Sequence, residues 1–356
     1  MARALALARL GRFWAKPNPH VGCVLVRDGR VIGEGFTQPA GDAHAEVVAL
    51  RAAGDARGAT AYVTLEPCAH HGRTPPCAEA LIASGVRRVV VAIEDPDPRV
   101  SGAGCEQLRQ SGVLVDVGVC AEAAAEELRG FLLRQSRGWG RVRLKSAMSL
   151  DGRMAMASGE SQWITGAEAR ADVHRLRAES GFIVTGVGTV LADDCALTVR
   201  PECFTDDPEV QQRATRVPPT RVVLDSQGRM QPNARILDDS APSWVFSSVP
   251  VDHVDLQTRC VEASPQGLAL QPIFTALGEA GANEILVEAG PRLSTALLQG
   301  GWIDEWVVYQ SPSILGTSAQ SAVQLRFETL AESMRLEYAS LDQIGQDVRL
   351  VLRPTR

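Results

Sequence analysis

The sequence has no long hydrophobic run, no excess of basic residues and few aromatic residues. No stretch of about 18 apolar residues occurs, so no segment is expected to span a membrane. The 36 lysine and arginine residues are outnumbered by 42 aspartate and glutamate residues, which gives a formal net charge of -6. That balance argues against a protein whose main partner is a nucleic acid. Aromatic residues make up 5% of the chain, and no basic stretch is studded with them, which disfavours an RNA-binding groove.

A recognisable export signal is also missing. Residues 1–10 have the apolar character of a signal peptide, but Arg9 interrupts them and no small-residue cleavage pattern follows. We therefore expect an amphipathic helix and a cytoplasmic location. In a reducing compartment the eight cysteines are not expected to form disulfides. They are predicted to be metal ligands, nucleophiles or buried residues, and Cys23, Cys105 and Cys120 are assigned to the core.

The length of 356 residues predicts two domains, because a single core stops growing at about 250–300 residues. Strands alternate with helices up to about residue 135, which predicts an α/β domain with a mostly parallel sheet. The glycine-containing stretch 136–140 is the expected boundary, and a second α/β pattern starts at Val142. We therefore predict domains at 1–138 and 141–356. Residues 201–219, which hold four prolines, are predicted to form a surface loop.

Several element boundaries follow from local signals. Asp42 is the expected N-cap of a helix over 43–53, and Pro75-Pro76 is expected to open another. Residues 121–135 are predicted to be one helix. Thr165 and Glu168 resemble a capping box at the start of a helix that ends near Ala178.

Four residues carry the first chemical pattern: His44 and Glu46 in one segment, and Cys68 and Cys77 in another. A hydrolytic zinc site needs three protein ligands and one open position for water. His44, Cys68 and Cys77 would supply an imidazole and two thiolates. Glu46 would take the proton of the water without binding the metal and would return it to a leaving ammonia. This pattern is the signature of zinc nucleobase deaminases, with eight residues between the cysteines instead of two.

Other interpretations of these residues remain open at this stage. The cysteines could be core residues that meet the pattern by chance. A structural zinc could recruit His70 or His71 as a fourth ligand, which would make the protein non-catalytic. A polynucleotide-editing deaminase with a helper domain is a further alternative, which the acidic balance disfavours.

The second half has a weaker pattern. The segment Gly186-Val187-Gly188-Thr189 is glycine-rich, but no G-x-G-x-x-G follows, so the simple dinucleotide fingerprint is absent. A better candidate is the apolar strand at 286–288, followed by Gly290 and a helix that begins near Pro291. Free N–H groups at that helix start can hold a pyrophosphate. An ordinary connection between a strand and a helix is the alternative.

With these motifs the sequence resembles the bifunctional deaminase–reductase family of riboflavin biosynthesis. The resemblance covers nearly the whole chain and rests on ordered segments at 17–24, 43–46, 64–68, 72–77, 149–153, 159–165, 188–194, 197–200 and 288–290. It implies a cytidine deaminase-like three-layer α/β/α domain, followed by a dihydrofolate reductase-like α/β domain. The first would remove an amino group from a diaminopyrimidinone ribosyl phosphate with zinc, and the second would reduce the ribosyl side chain with NADPH. It also implies a small phosphorylated pyrimidine as the substrate and a homo-oligomer.

The resemblance further implies roles for residues of the second half. Those assigned to NADPH are Ala147, Trp163, Thr189, Asp193, Ser226, Gly290, Pro291, Arg292, Leu293, Ser294, Thr295 and Ala296. Those assigned to the substrate are Ser161, Arg177, Leu197, Arg200 and Glu288. The two arginines suit a ribose phosphate, because a guanidinium binds phosphate oxygens in pairs. Trp163 could instead be a core residue. Thr37 and Cys195 depart from the residues common in the family, which are His and Pro.

Overall fold

Backbone contacts divide the chain into two units, Met1–Gly140 and Arg141–Arg356. The structure is a computed structural model that describes residues 1–356 except 73–74, 98–99, 205–206, 252–256 and 356. Arg73 and Thr74, which belong to one motif of the sequence, therefore lie outside the described residues. The same holds for positions 205–206 of the predicted surface loop.

A five-stranded sheet forms the centre of the first unit, in the order β2-β1-β3-β4-β5. The strands are β1 (Gly22–Arg27), β2 (Arg30–Phe36), β3 (Thr60–Val63), β4 (Arg88–Val91) and β5 (Leu114–Val117). Strand β1 is antiparallel to β2 and to β3, whereas β3, β4 and β5 are parallel. The sheet is therefore mixed and not mostly parallel. The tight turn at Asp28-Gly29, where both residues have positive φ, makes β1 and β2 an antiparallel hairpin.

Helices cover this sheet and make the unit a three-layer α/β/α structure. They are α1 (Ala2–Gly11), α2 (Ala45–Ala53), α3 (Cys77–Ala83), α4 (Ala103–Gln110), α5 (Ala121–Glu127) and α6 (Arg129–Arg137). The single helix predicted over 121–135 is wrong, because at Leu128 the backbone leaves the helical region (φ -99°, ψ 14°) and separates α5 from α6. The predicted N-cap at Asp42 is also wrong. His44 occupies that position in an extended conformation, and the Asp42 N–H donates to the Pro39 carbonyl in the preceding turn.

The second unit is built on a nine-stranded sheet in the order β11-β10-β9-β8-β14-β6-β15-β18-β17. The strands are β6 (Arg141–Met148), β7 (Arg153–Ala155), β8 (Phe182–Gly186), β9 (Thr220–Leu224), β10 (Ser243–Ser247), β11 (Gln257–Cys260), β12 (Ala263–Ser264), β13 (Gly267–Leu268), β14 (Glu284–Glu288), β15 (Glu305–Gln310), β16 (Gln320–Ser321), β17 (Leu336–Ile344) and β18 (Asp347–Pro354). Neighbours from β11 to β15 are parallel, and β18 and β17 close the sheet in antiparallel pairs. The pairs β12–β13 and β7–β16 form two small separate sheets.

The helices of the second unit are α7 (Ala167–Glu179), α8 (Val187–Asp193), α9 (Pro208–Arg216), α10 (Leu270–Glu279) and α11 (Pro291–Gln299). Short 3-10 turns lie at Pro201–Cys203, Arg235–Leu237 and Leu330–Glu332. The surface loop predicted over 201–219 is thus wrong in its middle, where α9 forms. Asp207 caps this helix by accepting the Glu209 N–H at 2.9 Å, and Pro208 fits its first turn.

Helix α7 also starts differently from the prediction. Gly166 is its N-cap, and no side-chain cap from Thr165 is present. Instead the Gly166 N–H donates to the carboxylate of Asp347 at 2.7 Å. A residue of β18, distant in the sequence, therefore replaces the local capping box.

Among the described residues, no helix combines the length and the apolar character that crossing a bilayer requires.

Candidate functional site

Three potential metal ligands meet in the first unit. The imidazole Nδ1 of His44 lies 3.3 Å from the Sγ of Cys77 and 3.7 Å from the Sγ of Cys68. All three donor atoms lie within 4.8 Å of one another. One imidazole and two thiols at this spacing match the donor set of a zinc site that keeps an open position. The residues present therefore fit a zinc ion, with Nδ1 as the imidazole donor.

Two helix starts and one loop bring these ligands together. His44 is the N-cap of α2, and Cys77 is the first residue of α3. Cys68 lies in the loop after β3, where its Sγ accepts the backbone N–H of Cys77 at 3.3 Å. Helix starts carry partial positive charge, which favours thiolates there.

The loop that carries Cys68 is fixed by its neighbour Glu66. The buried Glu66 carboxylate accepts backbone N–H groups from Asp95, Gly102 and Cys105 at 2.9 to 3.0 Å. It thereby ties the loop to the start of α4. Sequence reasoning used Glu66 only as part of a motif, because its three partners are distant in the chain.

Glu46 stands beside the ligands without joining them. Its side chain is 4% exposed and interacts with the Cys77 side chain. Burial raises the pKa of Glu46 to about 7, and the negative charge of a Cys68 thiolate adds to this effect. A buried carboxylate next to the ligands, but outside their set, is arranged to exchange protons with a molecule bound there.

The two cysteines share their protons unequally. A hydrogen bond from the Cys77 thiol lowers the pKa of Cys68 to about 4, against the opposing effect of burial, and His44 adds to the lowering. The same hydrogen bond and burial raise the pKa of Cys77. A thiolate at Cys68 is therefore favoured even before a cation is considered.

A fourth protein ligand is not found among the described residues. His70 and His71, the candidates from the sequence, are both exposed, and neither belongs to the cluster of three donors. The interpretation as a closed structural zinc site is thus disfavoured. Of the cysteines assigned to the core, Cys23 and Cys105 are buried, but Cys120 is exposed and that prediction is wrong. Cys120 has a left-handed backbone at the start of α5.

Thr37, which departs from the family pattern, is held in place by hydrogen bonds. It is buried, and its Oγ1 accepts the backbone N–H of Val21 at 2.9 Å. Its carbonyl accepts the indole N–H of Trp14 at 3.1 Å. The residue that departs from the family pattern is therefore hydrogen-bonded to Val21 and Trp14.

A cavity of about 1070 Å³ lies in the second unit. Most of the residues assigned there from the sequence line it: Ala147, Ser161, Trp163, Arg177, Thr189, Asp193, Leu197, Arg200, Ser226, Glu288, Gly290, Pro291, Arg292, Leu293 and Ala296. Ser294 and Thr295 are not among the lining residues. Ser294 donates to the Ala289 carbonyl, and Thr295 accepts the Gln324 N–H. Both side chains hold the α11 region together instead.

The start of α11 forms one wall of this cavity. Gly290 is the N-cap and Pro291 is the first helical residue. The Gly290 N–H donates to Thr189 Oγ1 at 3.2 Å, which ties this helix start to α8. The glycine-rich segment before Thr189 is not a loop, because α8 begins at Val187. The helix start with its free N–H groups can hold a phosphate.

A buried ion pair between Arg177 and Glu288 lines the cavity. Arg177 donates to both carboxylate oxygens of Glu288, at 2.6 and 3.1 Å, and to the Thr198 carbonyl at 3.0 Å. Lys145, which sequence reasoning missed, lies 3.5 Å from Glu288. It sits opposite Glu288 in the pairing of β14 with β6. Only that pairing could have revealed it.

Trp163 is not a core residue. Its side chain is 66% exposed at the cavity, and the guanidinium of Arg170 lies over its ring at 4.4 Å from the centroid. This stacking holds the indole at the cavity wall. Arg170 is a further residue that sequence reasoning missed.

Two families match the chain. The RibD C-terminal domain matches residues 141–350, and the cytidine and deoxycytidylate deaminase zinc-binding region matches residues 1–93. Riboflavin biosynthesis protein RibD of Escherichia coli (strain K12) is 47% identical over 361 residues, which cover 99% of this chain and 98% of that protein. RibD of Haemophilus influenzae is 44% identical over 358 residues, 99% and 96% of the two chains.

Solved structures agree with this. Acinetobacter baumannii RibD, form 1, superposes with a TM-score of 0.91 at 47% identity and covers 100% of this chain and 98% of that chain. A diaminohydroxyphosphoribosylaminopyrimidine deaminase/5-amino-6-(5-phosphoribosylamino)uracil reductase of Thermotoga maritima superposes with a TM-score of 0.88 at 31% identity and covers 100% and 97%.

The fold and the two sites define a zinc-dependent deaminase joined to a reductase in one chain. The α/β fold class expected from the sequence is thereby confirmed for both halves. The chain belongs to the RibD family. It is a bifunctional enzyme of riboflavin biosynthesis that uses zinc and NADPH, as the sequence predicted.

Proposed function

We propose that His44, Cys68 and Cys77 hold the zinc ion, and that Glu46 is the proton-transfer residue of the deaminase half. The substrate would be 2,5-diamino-6-(5-phosphoribosylamino)pyrimidin-4-one, whose ring amino group is replaced by oxygen from water. The observation that carries this assignment is the meeting of three donor atoms within 4.8 Å. Glu46, a buried carboxylate, lies directly beside them.

Zinc, when bound, supplies a Lewis acid that makes water a stronger acid and a better nucleophile near neutral pH. The residues of the chain then manage the protons. Glu46 accepts a proton from the attacking water and delivers it to the leaving amino nitrogen, so that ammonia departs as a neutral molecule. Because Glu46 is buried, bulk water does not compete for that proton. Glu66 holds the loop of Cys68 in place while this happens.

We further propose that the cavity of the second unit binds NADPH and the deaminated pyrimidine together, in a volume of about 1070 Å³. The free N–H groups at the start of α11 would hold the pyrophosphate. Thr189 would orient that helix start, and Trp163 would form a wall against the nicotinamide. NADPH supplies the hydride, and the chain positions it against the ribosyl carbon that becomes part of the ribityl group.

The two arginines assigned to the substrate would have different roles. The guanidinium of Arg177 is already engaged by Glu288 and the Thr198 carbonyl. Arg200 is exposed at the cavity, so it would be the residue that binds the ribose phosphate. Ser161, Leu197 and Glu288 would contact the remainder of the substrate.

A coupled assay tests both halves. Zinc-loaded protein and the diaminopyrimidinone substrate should release ammonia, and added NADPH should then be oxidised only after the deamination step. Chemically deaminated substrate should be reduced without ammonia release. Failure of zinc-loaded protein to release ammonia contradicts the first assignment, and failure to oxidise NADPH with the deaminated substrate contradicts the second.

We also propose that the protein is cytoplasmic and forms a homo-oligomer. Free thiols as metal ligands suit a reducing compartment. The last strand of the large sheet, β17, exposes Tyr338 and Leu341, which supports assembly through this edge. Light scattering of the purified protein tests the oligomer, and a monomer at micromolar concentration would contradict it.

A further inference from the structure

The segment 197–200 carries two substrate candidates of the reductase site in an unfavourable backbone. Leu197 has a positive φ of 50°, although it is neither glycine nor asparagine. Its side chain is 5% exposed. A leucine keeps such a conformation only where surrounding contacts fix it. The contacts that fix this segment therefore decide where Arg200 stands in the cavity.

Helix α7 supplies those contacts from two residues on one face. His174 and Arg177 are three positions apart, which places them side by side on a helix. Arg177 donates to the Thr198 carbonyl at 3.0 Å. The Nδ1 of His174 accepts the backbone N–H of Arg200 at 3.2 Å, and its ring also hydrogen-bonds the Thr198 carbonyl.

The helix that presents His174 is itself held at other points. The Asp172 carboxylate accepts hydrogen bonds from the Tyr309 hydroxyl and from Nη1 of Arg349, both at 2.7 Å. At its start, the Gly166 N–H donates to Asp347 at 2.7 Å. Helix α7 is thus anchored to β15 and β18 and is a rigid base for the segment.

The environment keeps the imidazole in the form that this contact needs. His174 is 7% exposed, and burial lowers its pKa to about 4, with Arg177 and Arg200 adding to the lowering and Glu288 opposing it. The ring is therefore neutral near pH 7. A neutral imidazole has one ring nitrogen without a proton, and because the Arg200 N–H donates to Nδ1, that nitrogen is the acceptor.

We propose that His174 is a positioning residue of the reductase half: through Nδ1 it fixes the backbone of Arg200 and so aims that side chain at the substrate phosphate. The inference rests on the proposed reductase function and goes beyond it, because His174 acts on the substrate only through another residue. It predicts that the acceptor atom at the δ position matters, and not the imidazole ring as such.

Matched substitutions at His174 test whether an acceptor atom at the δ position is needed or the imidazole ring itself. Asparagine places an oxygen at the δ position, glutamine places its polar atoms one bond further out, and leucine has no acceptor. We expect His174→Leu and His174→Gln to raise the KM for the deaminated pyrimidine ribosyl phosphate about five- to tenfold. His174→Asn should stay within about twofold of the natural enzyme. The KM for NADPH, the kcat at saturation and the release of ammonia should change by less than about twofold in all three.

Arg175 offers a control on the same helix, because it is exposed and does not line the cavity. Arg175→Ala should leave both KM values unchanged. If His174→Leu does not fold, the KM values of His174→Asn and His174→Gln for the deaminated substrate are sufficient to test the proposal. Equal KM values for Asn and Gln, a natural KM in the Leu or Gln variant, or a loss in kcat at unchanged KM would each overturn the proposal. If the unsubstituted enzyme itself does not oxidise NADPH, the proposed reductase function has failed, and that result is distinguishable from failure of the positioning role.

Discussion

The carboxylate of Glu288 accepts hydrogen bonds from both Nε and Nη2 of Arg177, at 2.6 and 3.1 Å, and the two side chains form a bidentate ion pair. Burial alone would raise the pKa of Glu288, but Arg177 and Lys145 outweigh it and lower the pKa to about 2. Burial likewise opposes the charge of Arg177, and the pKa of this guanidinium is nevertheless raised by Glu288. Each member therefore keeps the other charged inside the reductase unit.

Breaking this pair should destabilise the reductase unit. Arg177→Met leaves the Glu288 charge buried with Lys145 as its remaining cation, and we expect a loss of about 3–5 kcal/mol in unfolding free energy. NADPH oxidation should be abolished and ammonia release retained. Denaturant unfolding with both assays checks this. Arg57→Met, which removes an exposed ion pair with Asp55, is the control and should unfold like the natural protein. Equal unfolding midpoints for the two variants would contradict the role of the pair.

Removing the proton-transfer group should separate chemistry from metal binding. Glu46→Gln keeps the shape of the side chain but cannot accept a proton, so ammonia release should fall by about 10²–10⁴-fold. The zinc content, measured by atomic emission, should remain one ion per chain, and reduction of deaminated substrate should be unchanged. A Glu46→Gln enzyme that retains more than a tenth of its deaminase activity would exclude this role.

Metal removal should affect one activity only. Dialysis against a chelator should abolish ammonia release, added zinc should restore it, and NADPH oxidation with deaminated substrate should persist throughout. Cys77→Ser should mimic the dialysed protein, because a hydroxyl is a poor zinc ligand. Cys120→Ser is the matched control, since Cys120 is exposed and outside the donor cluster. Zinc retention by Cys77→Ser would show that the ligand assignment is incorrect.

The tie between α8 and α11 should govern cofactor affinity. Thr189→Val removes the oxygen that accepts the Gly290 N–H, and we expect the KM for NADPH to rise about three- to tenfold through loss of this hydrogen bond. Thr189→Ser keeps the oxygen and should stay close to the natural value. Steady-state kinetics with varied NADPH make the comparison. The same KM for NADPH in the Val and Ser variants would show that the hydrogen bond between Thr189 and Gly290 does not affect cofactor affinity.

Acid should weaken the reductase unit through His174. Its pKa is lowered to about 4 in the folded chain, against about 6.5 when unfolded. Between these values the unfolded chain binds more protons, so stability is fully present above pH 6.5 and declines as the pH falls towards 4. We expect a decline of up to about 3 kcal/mol from this residue. Unfolding curves at pH 7 and pH 4.5 should therefore differ more for the natural protein than for His174→Asn. If the change in unfolding free energy between pH 7 and pH 4.5 is the same for both proteins, His174 is not the source of the acid sensitivity.

The sequence predicted best what is encoded locally. The segments around His44, Cys68 and Cys77 carry fixed spacings, and the structure brings their donor atoms together as expected. The α/β pattern of both units was also predicted, because short apolar runs between turn residues mark strands.

The errors occur where partners distant in the sequence decide the structure. The start of α7 depends on Asp347, which no local pattern near Thr165 reveals. Lys145 and His174 enter the reductase site through strand pairing and through the strained turn at Leu197. The capped helix α9 is a different case, because Asp207-Pro208 is a local start signal that the abundance of prolines concealed.

Each unit has its own sheet, and the donor cluster and the cavity each belong to a single unit. One chain therefore carries both sites, but each site is built from the residues of one unit only. A genome could divide the message after the codon for Gly140 and still encode every side chain assigned to either reaction. A substitution in either site therefore leaves the side chains assigned to the other reaction unchanged.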